Sequence, residues 1–179
     1  MQNGSAYTKR LPEGCKYCKE GSKMVLLVTG KCSGKCWYCP LSEKKKGKDV
    51  LYANEKPAMS DEEIIEEAKS IDAEGSGFTG GDPLESEDTS HYIELLKNEF
   101  GEDHHIHLYT QSTDFEKINR LPKAGLDEIR FHPPPQYWSE IENTTYFKTI
   151  KKTTDLDMDV GLEIPSIPKM EEEIKHLIK

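Results

Sequence analysis

The sequence predicts an α/β protein, a parallel (β/α) partial barrel of about five strand–helix units. Three observations predict it. Strand-like runs alternate with helix-periodic runs at roughly 25 to 30 residue intervals, the signature of successive right-handed βα crossovers. The first run, Met24-Val25-Leu26-Leu27-Val28-Thr29, is continuously apolar and rich in β-branched residues, as a strand covered on both faces should be. The unusual residues, cysteines and paired glycines, fall in the loops after the strands, where a curved parallel sheet places its chemistry.

Taken in order, residues 1–22 read as an irregular polar arm holding Cys15 and Cys18, and residues 23–179 as one core domain. The strand at 24–29 leads straight into a cysteine loop, and a lysine-rich loop then runs to about Met59. Ser60-Asp61-Glu62-Glu63 is a capping box: a hydroxyl accepts from a first-turn amide, and a carboxylate three residues on reaches back. Ile64, Ile65, Ala68 and Ile71 follow at helical spacing, which predicts a helix over 60–73. A strand at 77–79 comes next, then a helix through Tyr92, Ile93, Leu96 and Phe100, and a strand at 106–110. One helix from Asp114 to Gly125, a strand at 128–132, a helix over about 143–154, a strand at 160–164 and a helix at 170–178 complete the pattern.

Composition bounds the function. The chain has 179 residues, 35% of them hydrophobic and 32% charged, which suits one globular domain with a charged surface. It contains no apolar run long enough for a membrane span and no signal-peptide pattern, so the expected location is the cytoplasm. A net charge of −9 argues against coating nucleic acid through the overall field. The basic stretch Lys44-Lys45-Lys46-Gly47-Lys48 leaves a local RNA contact open. Five cysteines, an odd number, do not suit a disulfide framework in a reducing compartment; their spacing points to metal.

Cys32-x-x-x-Cys36-x-x-Cys39 puts three thiols on one compact loop at the mouth of the sheet. Three thiolates hold three irons of a cubane and leave the fourth open to a small chelating molecule. Structural zinc is the alternative, but it usually takes four protein ligands in paired spacing. This loop, with Tyr38 just before its last cysteine, resembles the signature of the radical S-adenosylmethionine superfamily. Thr79-Gly80-Gly81-Asp82-Pro83 looks like that superfamily's Gly-Gly-Glu-Pro segment, which binds the methionine amino group; Asp82 stands where a glutamate is usual. Leu11-Pro12-Glu13-Gly14-Cys15, Tyr38-Cys39-Pro40-Leu41-Ser42, Gly47-Lys48-Asp49-Val50 and Arg130-Phe131-His132-Pro133-Pro134 resemble an archaeal group related to pyruvate formate-lyase activating enzymes.

The strand faces add to this. His105, His107 and Tyr109 alternate with Ile106, Leu108 and Thr110, Arg130 and His132 with Ile129 and Phe131, and Gly161 and Glu163 with Val160 and Leu162. The apolar series is needed against the outer helices, so the polar series faces the lumen and calls for a polar ligand. By position in the resembled family, His132 and Glu163 contact the ribose and carboxylate of S-adenosylmethionine, with Arg130 a carboxylate partner.

The resemblance implies an oxidoreductase-type enzyme. Its [4Fe–4S] cluster, fed by an electron donor such as ferredoxin or flavodoxin, cleaves S-adenosylmethionine reductively to a 5′-deoxyadenosyl radical that abstracts hydrogen from a protein, tRNA or small-molecule substrate. A non-catalytic iron–sulfur or zinc module, or an electron carrier, is the competing class. Cys15-x-x-Cys18 is open to four readings: ligands of an auxiliary cluster, half of a zinc site completed by a second subunit or by His104 or His176, a redox pair, or a structural knuckle. The resembled core has six βα units, so a sixth is missing here, or is supplied elsewhere by a C-terminal continuation or a partner.

Overall fold

The computed structural model describes residues 6–178. The chain opens with helix α1 (Glu13–Glu20), then strand β1 (Lys23–Thr29), the hairpin β2 (Tyr52–Ala53) and β3 (Lys56–Pro57), and helix α2 (Asp61–Ser70). Strand β4 (Gly75–Gly80), helix α3 (Thr89–Phe100), strand β5 (His105–Thr110), short helices α4 (Phe115–Ile118) and α5 (Leu121–Ala124), and strand β6 (Glu128–Phe131) follow. Helix α6 (Thr145–Thr153), strand β7 (Asp159–Leu162) and helix α7 (Glu171–Leu177) end it. The strands form one seven-stranded sheet in the order β3-β2-β1-β4-β5-β6-β7. Neighbours from β1 to β7 pair in parallel, while the hairpin adds an antiparallel edge on β1. That is five parallel strands in sequential order, as the alternation predicts.

Period-two alternation divides the residues between two faces. Met24, Leu26, Val28, Phe78, Ile106, Leu108, Ile129 and Phe131 are buried against Ile64 and Ala68 of α2, Ile93 and Leu96 of α3, and Ile118 and Leu121 of α4 and α5. The opposite face carries Lys23, His105, His107, Tyr109, Glu128, Arg130 and Glu163, which bond to one another. On this lumen side Val25 is 45% exposed while Leu27 and Thr29 are buried, so the first strand is covered on both faces except at Val25 and the half-buried Lys23.

Four expectations change. Residues 13–20 are helical, not an irregular arm. Only Gly14 of α1 is buried, so no apolar stripe announces this helix; Gly75 and Gly77 on β4 lack side chains, and Tyr17 of α1 packs over the former. The lysine-rich stretch does not run unbroken to Met59, because Asn54, at φ +53°, turns β2 into β3. The single helix expected over 114–125 is two: Pro122 has no amide to bond the Ile118 carbonyl, so the helix breaks and restarts, with Gly125 closing it at φ +101°. The last strand ends at Leu162, leaving Glu163 in the loop that follows.

Ser60 caps α2 as the motif predicts, its hydroxyl accepting from the Glu63 amide. The Glu63 carboxylate accepts from the amide of Met59, one residue before the position a capping box requires.

Candidate active site at the strand C-termini

A cavity of about 870 Å³ opens where β1, β4, β5, β6 and β7 end. Cys32, Cys36 and Cys39 line it together with Gly80, Gly81, His132 and Glu163. Tyr38, Tyr109 and Gln111 complete the polar part of the wall. Asp82 and Arg130, both buried, are the two cofactor-binding candidates that do not line it.

The cysteine loop is anchored at its root. The Gly81 amide donates to the Thr29 carbonyl (2.7 Å) and the Asp82 amide to the Lys31 carbonyl (2.8 Å). A Cβ on Gly81 would lie 2.0 Å from the Lys31 oxygen, so only glycine lets β4 and the loop root approach this closely. With both amides engaged, the segment has neither of them to give an anion. The lysine stretch is also wall: Gly30 donates to the Lys48 carbonyl and accepts from the Gly47 amide. Lys45 pairs with Glu55 and lies over the Tyr52 ring, so one of the four lysines is already occupied.

Asp82 caps the 3-10 turn Pro83–Glu85 from within. Its carboxylate accepts from the Leu84 amide (3.0 Å), the Thr110 hydroxyl (2.8 Å) and the Gln111 amide (2.8 Å). Burial pushes this carboxyl above its ordinary range, and the three hydrogen bonds oppose the rise. The side chain thus ties β4 to the end of β5. That fixes Gln111, whose Nε2 donates to Cys36 Sγ at 2.8 Å. Gln111 carries no motif, and nothing in the sequence singled it out.

On the far wall the Tyr38 hydroxyl is hydrogen-bonded to His132 Nε2 at 3.0 Å, joining the cysteine loop to the end of β6. Burial raises the Tyr38 phenol above its ordinary range and lowers the His132 imidazole, so both stay neutral near pH 7. Arg130 is not free to receive a cofactor carboxylate. Its Nε donates to Glu128 (2.5 Å), Nη1 to the Tyr109 hydroxyl (3.1 Å) and Glu163 (3.0 Å), and Nη2 to Cys15 Sγ (3.3 Å). The sequence pairs this guanidinium with a ligand; the structure pairs it with its neighbours in the sheet.

Cys15 and Cys18 lie on α1, which packs at the opposite, N-terminal ends of β1, β4 and β5. They are thus separate from the loop cysteines. His104 bonds Ser76 (2.9 Å) and His176 pairs with Glu142.

Three thiols lining one cavity match the three protein ligands of a cubane cluster and fall one short of the four a structural zinc usually takes. The cavity also falls in the size range of small-molecule sites, roughly 300–1,000 Å³.

Comparison with known proteins agrees with this geometry. A family model for the Radical SAM superfamily matches residues 26–179. A protein of Methanocaldococcus jannaschii named “Putative glycyl-radical enzyme activating enzyme” is 47% identical over 175 residues, 94% of this chain and 46% of the relative. A “Probable GTP 3′,8-cyclase” of Methanococcus maripaludis strain C6 is 30% identical over 155 residues, 82% of this chain and 49% of the relative. The chain therefore spans about half the length of the curated relatives it matches. No helix among the described residues is long and apolar enough to cross a membrane.

Proposed function

The chain belongs to the radical S-adenosylmethionine superfamily, and from that premise we propose that Cys32, Cys36 and Cys39 hold a [4Fe–4S] cluster that serves hydrogen abstraction from a protein substrate. The observation that carries this reading is the convergence of all three loop thiols and the Gly80-Gly81 backbone on one cavity at the C-terminal ends of the strands. Bound there and reduced by a ferredoxin- or flavodoxin-class donor, the cluster supplies the electron that splits S-adenosylmethionine into methionine and a 5′-deoxyadenosyl radical.

The chain's own residues bind, orient and shield. Cys32, Cys36 and Cys39 would hold the cluster by three thiolates and leave it open to a chelating amino acid. Carbonyl oxygens of the Gly80-Gly81 segment accept from its ammonium group. His132, held by Tyr38, and Glu163, held by Arg130, present a neutral imidazole and a carboxylate to the ribose hydroxyls. Gln111 supplies a hydrogen bond to the sulfur of Cys36. Asp82 acts at one remove, by setting the ends of β4 and β5.

The protein substrate rests on the 47%-identical relative, whose name specifies activation of glycyl-radical enzymes. Trp37, 78% exposed on the cysteine loop at the cavity rim, gives such a partner an aromatic anchor. Anaerobic reconstitution with iron and sulfide, followed by dithionite and S-adenosylmethionine, tests the chemistry. Release of 5′-deoxyadenosine by the wild type and not by Cys36→Ala supports it. Absence of cluster absorbance, or an intact cofactor after reduction, removes it. A glycyl radical signal in a candidate partner protein from the source cell tests the substrate separately.

A further inference from the structure

A second cluster of metal-ligating side chains occupies the floor of the lumen, at the N-terminal ends of the strands. His105 and His107 stand two residues apart on β5, so the pleat directs both rings to one face. Glu128 lies directly beside His107 in the β5–β6 register. One ligand atom from each of the three falls within 4.8 Å of the others. Glu128 is 4% exposed; its Oε1 accepts from Arg130, while its Oε2 is buried with no hydrogen-bond partner. That oxygen faces His105 Nε2 at 3.6 Å, beyond hydrogen-bond reach; a buried carboxylate oxygen so placed is costly, and it marks a place for a cation.

We propose that His105, His107 and Glu128 form a divalent-cation site of the zinc class, distinct from the cysteine loop, with the neighbouring Cys15-x-x-Cys18 pair on α1 contributing no ligand. Two imidazoles and a carboxylate are a common three-residue set for zinc, with one position left for water or a further ligand. The present occupant shows the sign of charge the site takes. The Lys23 ammonium is hydrogen-bonded to His107 Nδ1 and stands 3.4 Å from His105 Nδ1, so both rings turn a lone pair toward one point. The ammonium is an incomplete partner, because it leaves Glu128 Oε2 unmet. A divalent ion held by one ligand atom from each of the three residues displaces it.

Helix α1 roofs this point. A Cβ on Gly14 would stand 2.6 Å from His107 Nδ1 and 2.8 Å from Lys23 Nζ, so the glycine keeps the space beside the ring clear. An ion bound there lies between α1 and the sheet and fastens the one to the other. His107 Nε2, on the far side of the ring, is held by the Tyr109 hydroxyl at 2.8 Å, an outer partner that fixes how the ligand is oriented.

The test is zinc titration by calorimetry, with metal counting, on the chelator-treated full chain carrying Cys32, Cys36 and Cys39→Ala, so that the loop takes up no metal. The expected result is one zinc per chain. Glu128→Gln, which keeps shape, should weaken binding by at least about tenfold, the lower end of what even an outer partner costs. Lys23→Met should tighten it by removing the competitor, a gain that misfolding cannot imitate. Cys15→Ser with Cys18→Ser should leave the affinity unchanged, and cobalt substitution should show no thiolate charge-transfer band. No zinc uptake, undiminished affinity in Glu128→Gln, or binding lost only with the Cys15/Cys18 change would each overturn the assignment.

Discussion

Replacing Asp82 with alanine separates two roles for the segment Thr79-Gly80-Gly81-Asp82-Pro83. The buried carboxylate accepts from the Leu84 amide, the Thr110 hydroxyl and the Gln111 amide at 2.8 to 3.0 Å. Alanine leaves all three donors without that partner. A buried donor so orphaned costs about 1–3 kcal/mol. The Thr110 hydroxyl can turn elsewhere, which places the sum toward the low end, roughly 3 to 5 kcal/mol. For a chain of this length that corresponds to a fall of roughly 10 °C in melting temperature. The assay is thermal unfolding by circular dichroism of cluster-free protein, with S-adenosylmethionine affinity measured separately on the reconstituted form. Because Gln111 is displaced with its amide, cluster content should decline alongside stability. If Asp82→Ala melted within about 2 °C of the wild type while cofactor affinity collapsed, the carboxylate would be a ligand contact and this reasoning would be wrong.

Gln111→Leu removes the hydrogen bond to Cys36 Sγ. Donors to cluster sulfur favour the reduced, more negative state, so the midpoint potential should move negative in an EPR-monitored redox titration; no shift, or a positive one, refutes the contact. Tyr38→Phe breaks the link to His132 and should cost about 1 kcal/mol, with faster loss of iron to a chelator while unfolding stays cooperative. Glu67 of α2 accepts from Asn54 and pairs with Lys56, pinning the hairpin. The Lys56 bond, then the Asn54 bond, holds its carboxyl below the ordinary 4.5. A lowered folded-state pKa adds stability that is present above 4.5 and lost as pH falls through the folded value. Glu67→Gln should therefore be destabilised by about 1 kcal/mol at neutral pH, and urea midpoints of the two proteins should converge in acid.

The sequence revealed those features that depend on periodicity and local chemistry. Alternation along β5 and β6 separated a helix-facing series, Ile106, Leu108, Ile129 and Phe131, from a polar lumen series, because a pleat of period two leaves no other assignment. The cysteine loop was legible from spacing alone. Helix α1 was not, since Glu13-Gly14-Cys15-Lys16-Tyr17-Cys18-Lys19-Glu20 has no apolar stripe and owes its position to glycines sixty residues away. The hairpin at 52–57 escaped for a different reason: two-residue strands carry no alternation, and only Asn54 hinted at the turn. Gln111 and the buried role of Asp82 depend on which loop ends meet across β4 and β5, a tertiary fact with no local signature.

Arg130 shows how such tertiary pairing changes a functional reading. In the sequence it is an arginine on a lumen face, the natural partner of a cofactor carboxylate. In the fold it stands between two carboxylates of its own protein, Glu128 on the same strand and Glu163 at the cavity. Both Arg130 and Glu128 are almost fully buried, and removing one member of such a pair leaves the other charge uncompensated, at a cost of about 3–5 kcal/mol. The guanidinium therefore cannot turn toward a ligand without stranding Glu128. Its reach to Glu163 at one end and to Glu128 at the other makes it the connection between the cavity and the lumen floor. A cation on Glu128 Oε2 would draw on the carboxylate that neutralises Arg130, and that in turn strengthens the hold of Arg130 on Glu163. The acid presented to the cavity is thus set in place from the floor beneath it.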